Sequence, residues 1–191
     1  MAQTRIKGPA RRERLLDAAA EIVLAQGVAA VTMEAVALKN RVNRAMAYRY
    51  FADRDDLLTE LIAREYERQA SHVAAHVDPT ADLEGALRYA LAHWYEHGEL
   101  FLRLANDTGP LAARAAAIRR EDARLWAGGF EKAFDLPPAV ALRLAAFVVG
   151  GAFGVFEARS GKDDEVVIDD VVRSVMAAGR ALQDRHAPAE R

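Results

Sequence analysis

Apolar residues recur at helical intervals along almost the whole chain, and no segment shows the strict alternation that is typical of a strand. Near the N-terminus, Leu15, Ala19 and Ile22 fall on one face of a helix that Gly27 can end. Thr32 can cap the helix that follows. The pattern predicts helices at about 10–26, 33–39, 44–51, 53–76, 82–97, 99–107, 111–134, 138–159 and 166–184.

One uninterrupted helix is predicted to join the N-terminal part of the chain to the remainder. Asp53 can cap this helix, and no glycine or proline follows until Pro79. We therefore expect two domains without a flexible linker, residues 1–54 and residues 55–191. The predicted fold is all-α, with an N-terminal three-helix domain that contains a helix-turn-helix, followed by a helical bundle.

Composition narrows the possible classes of protein. The chain has 191 residues, of which 52% are apolar, so it can bury a core of its own. The absence of cysteine excludes a disulfide framework, a thiolate metal site and a cysteine nucleophile. The longest apolar run, residues 144–156, is too short to span a bilayer, and the basic N-terminus lacks the apolar segment of a secretory signal. We expect a cytoplasmic protein with no membrane partner.

The charge is distributed unevenly along the chain, although the formal net charge is only −2. Residues 1–54 contain ten Lys and Arg against five Asp and Glu, whereas the remaining residues carry a net charge of −7. A polyanion would attract the basic end and repel the acidic remainder. This asymmetry favours a nucleic acid as the partner of the N-terminal domain.

Residues 32–58 carry the most specific chemistry in the chain. The apolar positions Val36, Val42 and Phe51 fall where a compact helix-turn-helix would bury them. The polar positions between and after them suit phosphate oxygens and guanine edges. These polar residues are Arg41, Asn43, Arg44, Tyr48, Arg49, Tyr50 and Arg54.

This segment resembles the N-terminal DNA-binding domain of TetR-family transcriptional regulators. The resemblance rests on Thr32, Val36-Ala37, Val42-Asn43, Tyr48-Arg49-Tyr50-Phe51 and Asp53-Arg54 with Leu57-Leu58. The family usually has Ala-Gly in the turn, where this chain has Asn40-Arg41. Either Arg41 or Asn40 must therefore adopt the left-handed conformation that glycine takes at low cost.

The resemblance implies a ligand-responsive transcriptional regulator, most simply a repressor. Residues 1–54 would bind double-stranded operator DNA, and residues 55–191 would bind a small-molecule effector and form a homodimer. The residues do not specify the identity of the effector. In the implied roles, phosphates are held by Thr32, Tyr48, Tyr50 and Arg54, and base edges are faced by Asn43, Arg44 and Met46.

The middle helices supply candidate walls for an effector pocket. Aromatic residues at helical spacing are also common in ordinary cores, so both interpretations stay open. The five candidates are Trp94, Phe101, Trp126, Phe130 and Phe147.

Two helices near the C-terminus are predicted to pair the subunits. Ala146, Gly150 and Gly154 are spaced four apart, which gives one smooth helix face for close approach of another helix. The last helix is predicted to add an apolar stripe. Its residues are Val166, Val167, Val171, Val175 and Ala178.

The sequence offers weak signals for other chemistry. His72/His76 and His93/His97 are i, i+4 pairs, a spacing that can place two imidazoles on one metal ion. No third ligand accompanies them, so we interpret them as polar helix faces and expect neither a metal nor another cofactor. No nucleophile with a base is recognisable, so we assign no catalytic residue and do not expect an enzyme.

Two rival interpretations remain. In the first, the chain is a helical small-molecule carrier or enzyme without DNA binding. In the second, it is an architectural DNA-binding protein without an effector. Salt-dependent, sequence-selective binding to duplex DNA separates a regulator from a carrier. A ligand that weakens this binding separates a regulator from an architectural protein.

Overall fold

The structure, a computed structural model, describes residues 8–157 and 164–187. Within these ranges the regular elements are nine α-helices and one 3₁₀ turn, Val28–Ala30, which confirms the predicted all-α fold. No helix of the described part of the chain is long and apolar enough to cross a membrane. The helices are α1 Gly8–Gln26, α2 Met33–Lys39, α3 Arg44–Tyr48, α4 Arg54–His76, α5 Leu83–His97, α6 Glu99–Ala105, α7 Ala112–Phe134, α8 Pro138–Glu157 and α9 Asp164–His186.

The main difference from the predicted helices is at the end of α3. This helix stops at Tyr48, where the last turn tightens: the backbone N–H groups of Arg49 and Tyr50 donate to the carbonyls three residues before them, Met46 and Ala47, at 3.3 and 3.0 Å. Elsewhere the predicted bounds hold to within a few residues, and α7 runs through Gly128-Gly129 without a break. Residues 158 and 159, the predicted end of α8, lie outside the described residues.

Aspartates define the start of α4 by reciprocal capping. Asp53 Oδ1 accepts a hydrogen bond from Asp56 N at 2.8 Å, and Asp56 Oδ2 accepts one from Ala52 N, also at 2.8 Å. Two backbone donors at the helix terminus are satisfied in this way. The predicted cap at Asp53 is confirmed, and α4 then continues without interruption to His76.

The first of two compact units comprises Met1–Glu67 and Glu99–Ala115. Its core is built from side chains that are almost fully buried, on α1, α2 and the first half of α4, with contributions from α3, α6 and the segments just before α4 and α7. They are Leu15, Leu16, Val36, Ala47, Phe51, Leu57, Leu58, Leu61, Ile62, Leu104 and Leu111.

Ion pairs and hydrogen bonds supplement this core around α1. Arg64 Nη1 lies 3.0 Å from Glu13 Oε2 and 2.9 Å from Asp17 Oδ1, which ties α4 to α1. Arg103 of α6 donates to the carbonyl of Leu24 at 3.1 Å, so it satisfies a carbonyl near the C-terminal end of α1. These contacts explain why residues 99–115 pack with the N-terminal helices despite their distance in sequence.

The second unit comprises Arg68–Gly98 and Ala116–Arg191. Its buried cluster includes Leu87, Phe130, Phe134 and Val172, and α5 packs on α9. The two units are defined by packing, so they do not test the functional division at residue 54. That division stays a prediction.

The structure of α9 corrects one part of the prediction that an apolar stripe on this helix pairs the subunits. Val175 is only 8% exposed and belongs to the core of its own protomer, where Val171 and Ala178 also pack. Val166 alone of the valine stripe is strongly exposed, at 60%. The reason is that the face of α9 with these residues is already covered within the protomer.

Candidate nucleic-acid interface

The helix-turn-helix begins with a capped helix, α2. Thr32 has extended backbone angles, and its Oγ1 accepts a hydrogen bond from Ala35 N at 3.0 Å, as predicted for an N-cap. Met33, Val36 and Ala37 are buried, which fixes the orientation of α2 in the first unit. Thr32 itself is exposed, so its hydroxyl hydrogen is free to reach a phosphate oxygen while Oγ1 accepts from the backbone.

The turn between α2 and α3 depends on Arg41. Arg41 has φ 56°, in the left-handed region, whereas Asn40 has φ −84°. Val42 N donates to Ala37 O at 3.0 Å and Arg41 N to Leu38 O at 2.9 Å, which is the Schellman pattern that ends a helix. Arg41 therefore takes the conformation that glycine usually supplies, at a cost of about 1–2 kcal/mol.

The short helix α3 is the predicted recognition helix. Asn43 caps it, because its Oδ1 accepts a hydrogen bond from Met46 N at 2.9 Å. Ala47 is fully buried and anchors one side of the helix, while Arg44 and Tyr48 are exposed on the other. Met46 is half-buried, as is Tyr50 just beyond the helix. The base-edge roles of Asn43 and Met46 stay predictions.

Arg44 is bound to two neighbouring side chains. Its guanidinium forms an ion pair with Glu34 of α2, and its Nη2 donates to Tyr48 Oη at 2.9 Å. The guanidinium carbon also lies 5.1 Å from the centre of the Tyr48 ring, in cation–π geometry. The Tyr48 hydrogen bond, and then the Glu34 charge, raise the pKa of Arg44 above its usual value. The three side chains form an exposed cluster, which we call the Arg44 cluster.

Arg54 fastens the start of α4 to the segment before α2. Its Nε donates to Val31 O at 2.7 Å and its Nη2 to Val28 O at 2.9 Å, so it bridges two carbonyls around the 3₁₀ turn. Its Nη1 lies 3.2 Å from Asp55 Oδ1. Sequence reasoning did not foresee this structural role, because the acceptors are backbone atoms. The predicted phosphate contact of Arg54 stays a prediction.

The structure does not bring the five predicted effector residues together in one cavity wall. Phe101, only 3% exposed, belongs to the first unit, where its ring lies 5.9 Å from that of Tyr66. Phe130 is fully buried in the core of the second unit, and Phe147 is 74% exposed on α8. Trp94 and Trp126 are both half-buried, and their place in an effector pocket stays a prediction.

A cavity of about 730 Å³ lies in the second unit, beside α5 and the first turns of α9. The ion pair between Arg88 Nη2 and Asp169 Oδ1, at 2.8 Å, forms part of its wall. Sequence reasoning missed this cavity, because charged residues and small apolar residues share its lining. The residues are Arg88, Ala92, Tyr95, Glu96, Asp164, Glu165, Val166, Ile168 and Asp169.

The four histidines of α4 and α5 form one cluster of rings with Tyr89, and all of them except the tilted His97 are stacked. The rings of His72 and His93 are 4.3 Å apart and nearly parallel, and His76 stacks on His72 at the same distance. His97 lies 4.9 Å from His93, while His72 Nε2 and Tyr89 Oη are 2.9 Å apart. The histidines are thus not separate polar faces, as the sequence suggested. In the described ranges, no group of three or more His, Asp or Glu is arranged to hold a metal ion.

Acidification is expected to destabilise the protein through this cluster. Burial, and then the neighbouring His72 and His97, lower the pKa of His93 below 6.5, against a smaller opposing effect of Glu96 and a further lowering effect of His76. Because the unfolded chain then binds more protons than the folded one, the stability that is present above the unfolded pKa is lost as the pH falls.

Thermal unfolding between about pH 8 and about pH 5 checks this expectation. The unfolding temperature of His93→Gln should fall less on acidification than that of the wild type, and glutamine can still donate to Gln69 Oε1, which lies 2.6 Å from His93 Nε2. His186→Gln, at an exposed position in α9, is the control and should follow the wild type. Parallel curves for all three proteins would contradict the proposed role of His93.

A capped α2, a Schellman turn and a short exposed α3 together define the DNA-binding unit of a helix-turn-helix transcriptional regulator. The comparison with protein families agrees. Residues 15–61 match the family described as bacterial regulatory proteins, tetR family, so this part of the chain is similar to the helix-turn-helix domain of those regulators.

Individual relatives support this assignment. An uncharacterized HTH-type transcriptional regulator in the dhlA 5′ region of Xanthobacter autotrophicus is 29% identical over 119 residues. That alignment covers 59% of this chain and 58% of the relative, so the chain matches little more than half of the relative's length.

Solved structures share the fold over most of the chain. The multidrug binding protein EbrR, complexed with imidazole, is 29% identical, with a TM-score of 0.66 over 87% of this chain and 95% of EbrR. A TetR-family protein of Streptomyces coelicolor is 27% identical, with a TM-score of 0.67 over 86% and 98%. The fatty acid degradation regulator FadR of Bacillus halodurans, at 16% identity and a TM-score of 0.70 over 90% and 96%, shares the fold.

Proposed function

We propose that the protein is a repressor that binds double-stranded operator DNA as a homodimer and releases it when a small-molecule effector binds. The observation that carries this proposal is the exposed face of α3, where Arg44 and Tyr48 project from a helix whose other side is anchored by buried Ala47. The net positive charge of residues 1–54 would direct this face to a polyanion.

Fluorescence anisotropy with labelled duplexes tests the proposal. An operator is first selected from a random pool of duplexes, and its binding is compared with that of a scrambled duplex at about 50 and about 200 mM salt. We expect the operator to bind at least about 10³-fold more tightly, and both affinities to fall as salt rises. Equal binding of the two duplexes would favour an architectural protein, and the absence of binding would favour a carrier.

Arg44→Ala is expected to reduce this discrimination. A guanidinium near the start of a recognition helix can fork onto O6 and N7 of guanine, a contact worth about 1–3 kcal/mol of discrimination. The loss of discrimination should be confined to one base position of the operator. Binding measurements with a set of singly substituted operators would identify this position. If the ratio between operator and scrambled duplex is unchanged, Arg44 does not read sequence.

The second unit is the proposed site of the effector. Its open pocket of about 730 Å³ has the volume of known small-molecule sites. Trp94 and Trp126 do not line this pocket, and their role in effector binding is a separate proposal. EbrR, at 29% identity, is described as a multidrug binding protein, which supports a small organic molecule as the ligand class.

Native mass spectrometry of the purified protein should reveal a co-purified molecule. Added back to the operator complex, this molecule should weaken DNA binding, and DNA should weaken its binding by the same factor. A molecule that binds without changing the operator affinity would contradict the proposed release.

We propose α4 as the element that couples the two sites. It is continuous from Arg54 to His76. Arg54 is hydrogen-bonded to the segment before α2, and His76 belongs to the histidine cluster. A shift of α4 would change the separation of two recognition helices in a dimer, whose half-sites lie about 34–36 Å apart. A modest change in this separation prevents both helices from binding at once.

A further inference from the structure

The Arg44 cluster places a carboxylate within the proposed DNA interface. Glu34 lies in the first turn of α2, two residues after Thr32, and its side chain is 56% exposed. A carboxylate at this position repels phosphates, and sequence reasoning assigned it no role. Its ion pair joins α2 to the recognition helix, because Arg44 opens α3.

The ion pair has an electrostatic consequence for DNA binding. Contacts between free arginines and phosphates release counterions and attract every duplex alike. An arginine whose charge is balanced by a neighbouring carboxylate gains little from this effect. It retains an advantage only where a base edge offers two acceptors to the guanidinium.

Tyr48 restricts Arg44 further. Its hydroxyl accepts from Nη2 at 2.9 Å and its ring faces the guanidinium carbon at 5.1 Å, so two of the contacts of Arg44 come from its own helix. A side chain held at several points loses less rotamer freedom when it docks on a base.

We propose that Glu34 is a specificity-determining residue of this interface, a positioning residue that acts through Arg44. With Tyr48, it directs the guanidinium to a base edge, and its own charge weakens the binding of duplexes that lack the matching base. The inference rests on the operator binding proposed above and extends it to a residue that touches no base.

Glu34→Gln tests the inference on the full-length protein. The neutral amide leaves Arg44 free to bind a phosphate, so the scrambled duplex should bind roughly fivefold to tenfold more tightly at about 0.1 M salt. For the scrambled duplex, the slope of log affinity against log salt concentration should become more negative by about 0.9, the value for one added phosphate contact. The ratio of operator to scrambled affinity should fall accordingly.

Three further variants show whether Glu34 acts through Arg44. Glu99→Gln also removes an exposed carboxylate of the first unit that is paired with an arginine, Arg103, at 2.7 Å, and it should leave the affinity ratio unchanged. In an Arg44→Ala background, Glu34→Gln should no longer steepen the salt dependence. Tyr48→Phe, which removes the hydrogen bond to Arg44, should lower the ratio in the same direction as Glu34→Gln.

The possible outcomes separate this inference from the proposed function. If wild-type protein discriminates between the duplexes and Glu34→Gln leaves both the ratio and the salt slope unchanged, the inference fails and operator binding stands. If Glu34→Gln steepens the slope equally with and without Arg44, only the charge matters and the positioning role is wrong. If the wild type does not discriminate, the proposed function fails and the inference fails with it. Circular dichroism confirms that each variant is folded.

Discussion

Replacing Gly150 with leucine is expected to convert the proposed homodimer into monomers or aggregates at micromolar concentration. Leu142, Ala146, Gly150 and Gly154 follow one another at four-residue spacing on α8, and all four are exposed in the protomer. Phe147 beside them is 74% exposed, which is unusual for so large an apolar side chain. A second copy of the chain would cover this surface, and a two-fold dimer would place α8 against α8.

The substitution should act on the dimer and not on the protomer. A Cβ added at Gly150 would meet no atom of the protomer within 4 Å, so leucine has room within the isolated chain. Against a closely packed second helix, the added side chain forces the two helices apart. Operator binding should fall as well, because one recognition helix contacts too few base pairs for selective binding.

Sedimentation velocity measures the change in assembly, and Gly150→Ala provides a sharper test. On an exposed helix without a partner, glycine to alanine should raise the free energy of unfolding by about 0.5–1 kcal/mol. At a close helix contact, alanine should instead weaken the dimer. A wild-type protein that sediments as a monomer at micromolar concentration would contradict the proposed assembly.

Gly179→Ala is expected to lower the free energy of unfolding by about 3 kcal/mol, the upper end of the usual cost of overpacking. A Cβ at Gly179 would lie 2.2 to 2.6 Å from three atoms of the Phe134 ring, far inside contact distance. The ring is 3% exposed and packed in the core of the second unit, so it cannot move aside without disturbing its neighbours.

Urea denaturation of Gly179→Ala and Gly128→Ala measures this effect. At Gly128 an added Cβ would meet only Thr80 Cγ2, at 3.8 Å, and the position is exposed on α7. The control should therefore be more stable than the wild type, by about 0.5–1 kcal/mol. Equal stability of Gly179→Ala and the wild type would mean that α9 does not pack on Phe134 in solution.

The sequence predicts the helices and caps of the candidate interface better than the contacts between them. Thr32 and Asp53 were recognised as caps because capping involves a side chain and a backbone group only a few residues away. The sequence does not decide which residue of the turn, Asn40 or Arg41, is left-handed, because either can adopt that conformation locally. The bonds around the turn place that conformation at Arg41.

Local sequence patterns do not predict contacts between residues that are distant in the sequence. Arg54 was predicted to hold a phosphate, but its bonds to Val28 and Val31 involve carbonyls more than twenty residues away, which no spacing rule identifies. The histidine pairs were each visible as i, i+4 repeats. Their stacking into one cluster depends on how α4 lies against α5.

Local sequence patterns suffice to predict the all-α fold, the bounds of most helices and the helix-turn-helix, since helical periodicity, caps and turns depend on residues close together in the chain. Which faces those helices bury depends on how the helices pack on one another. Periodicity shows that a face is apolar and not what covers it, so Val175 and Phe130 lie in the core of the protomer while Phe147 is exposed. The same reason explains why α6 packs with the N-terminal unit: its contacts with α1 join residues that are distant in sequence.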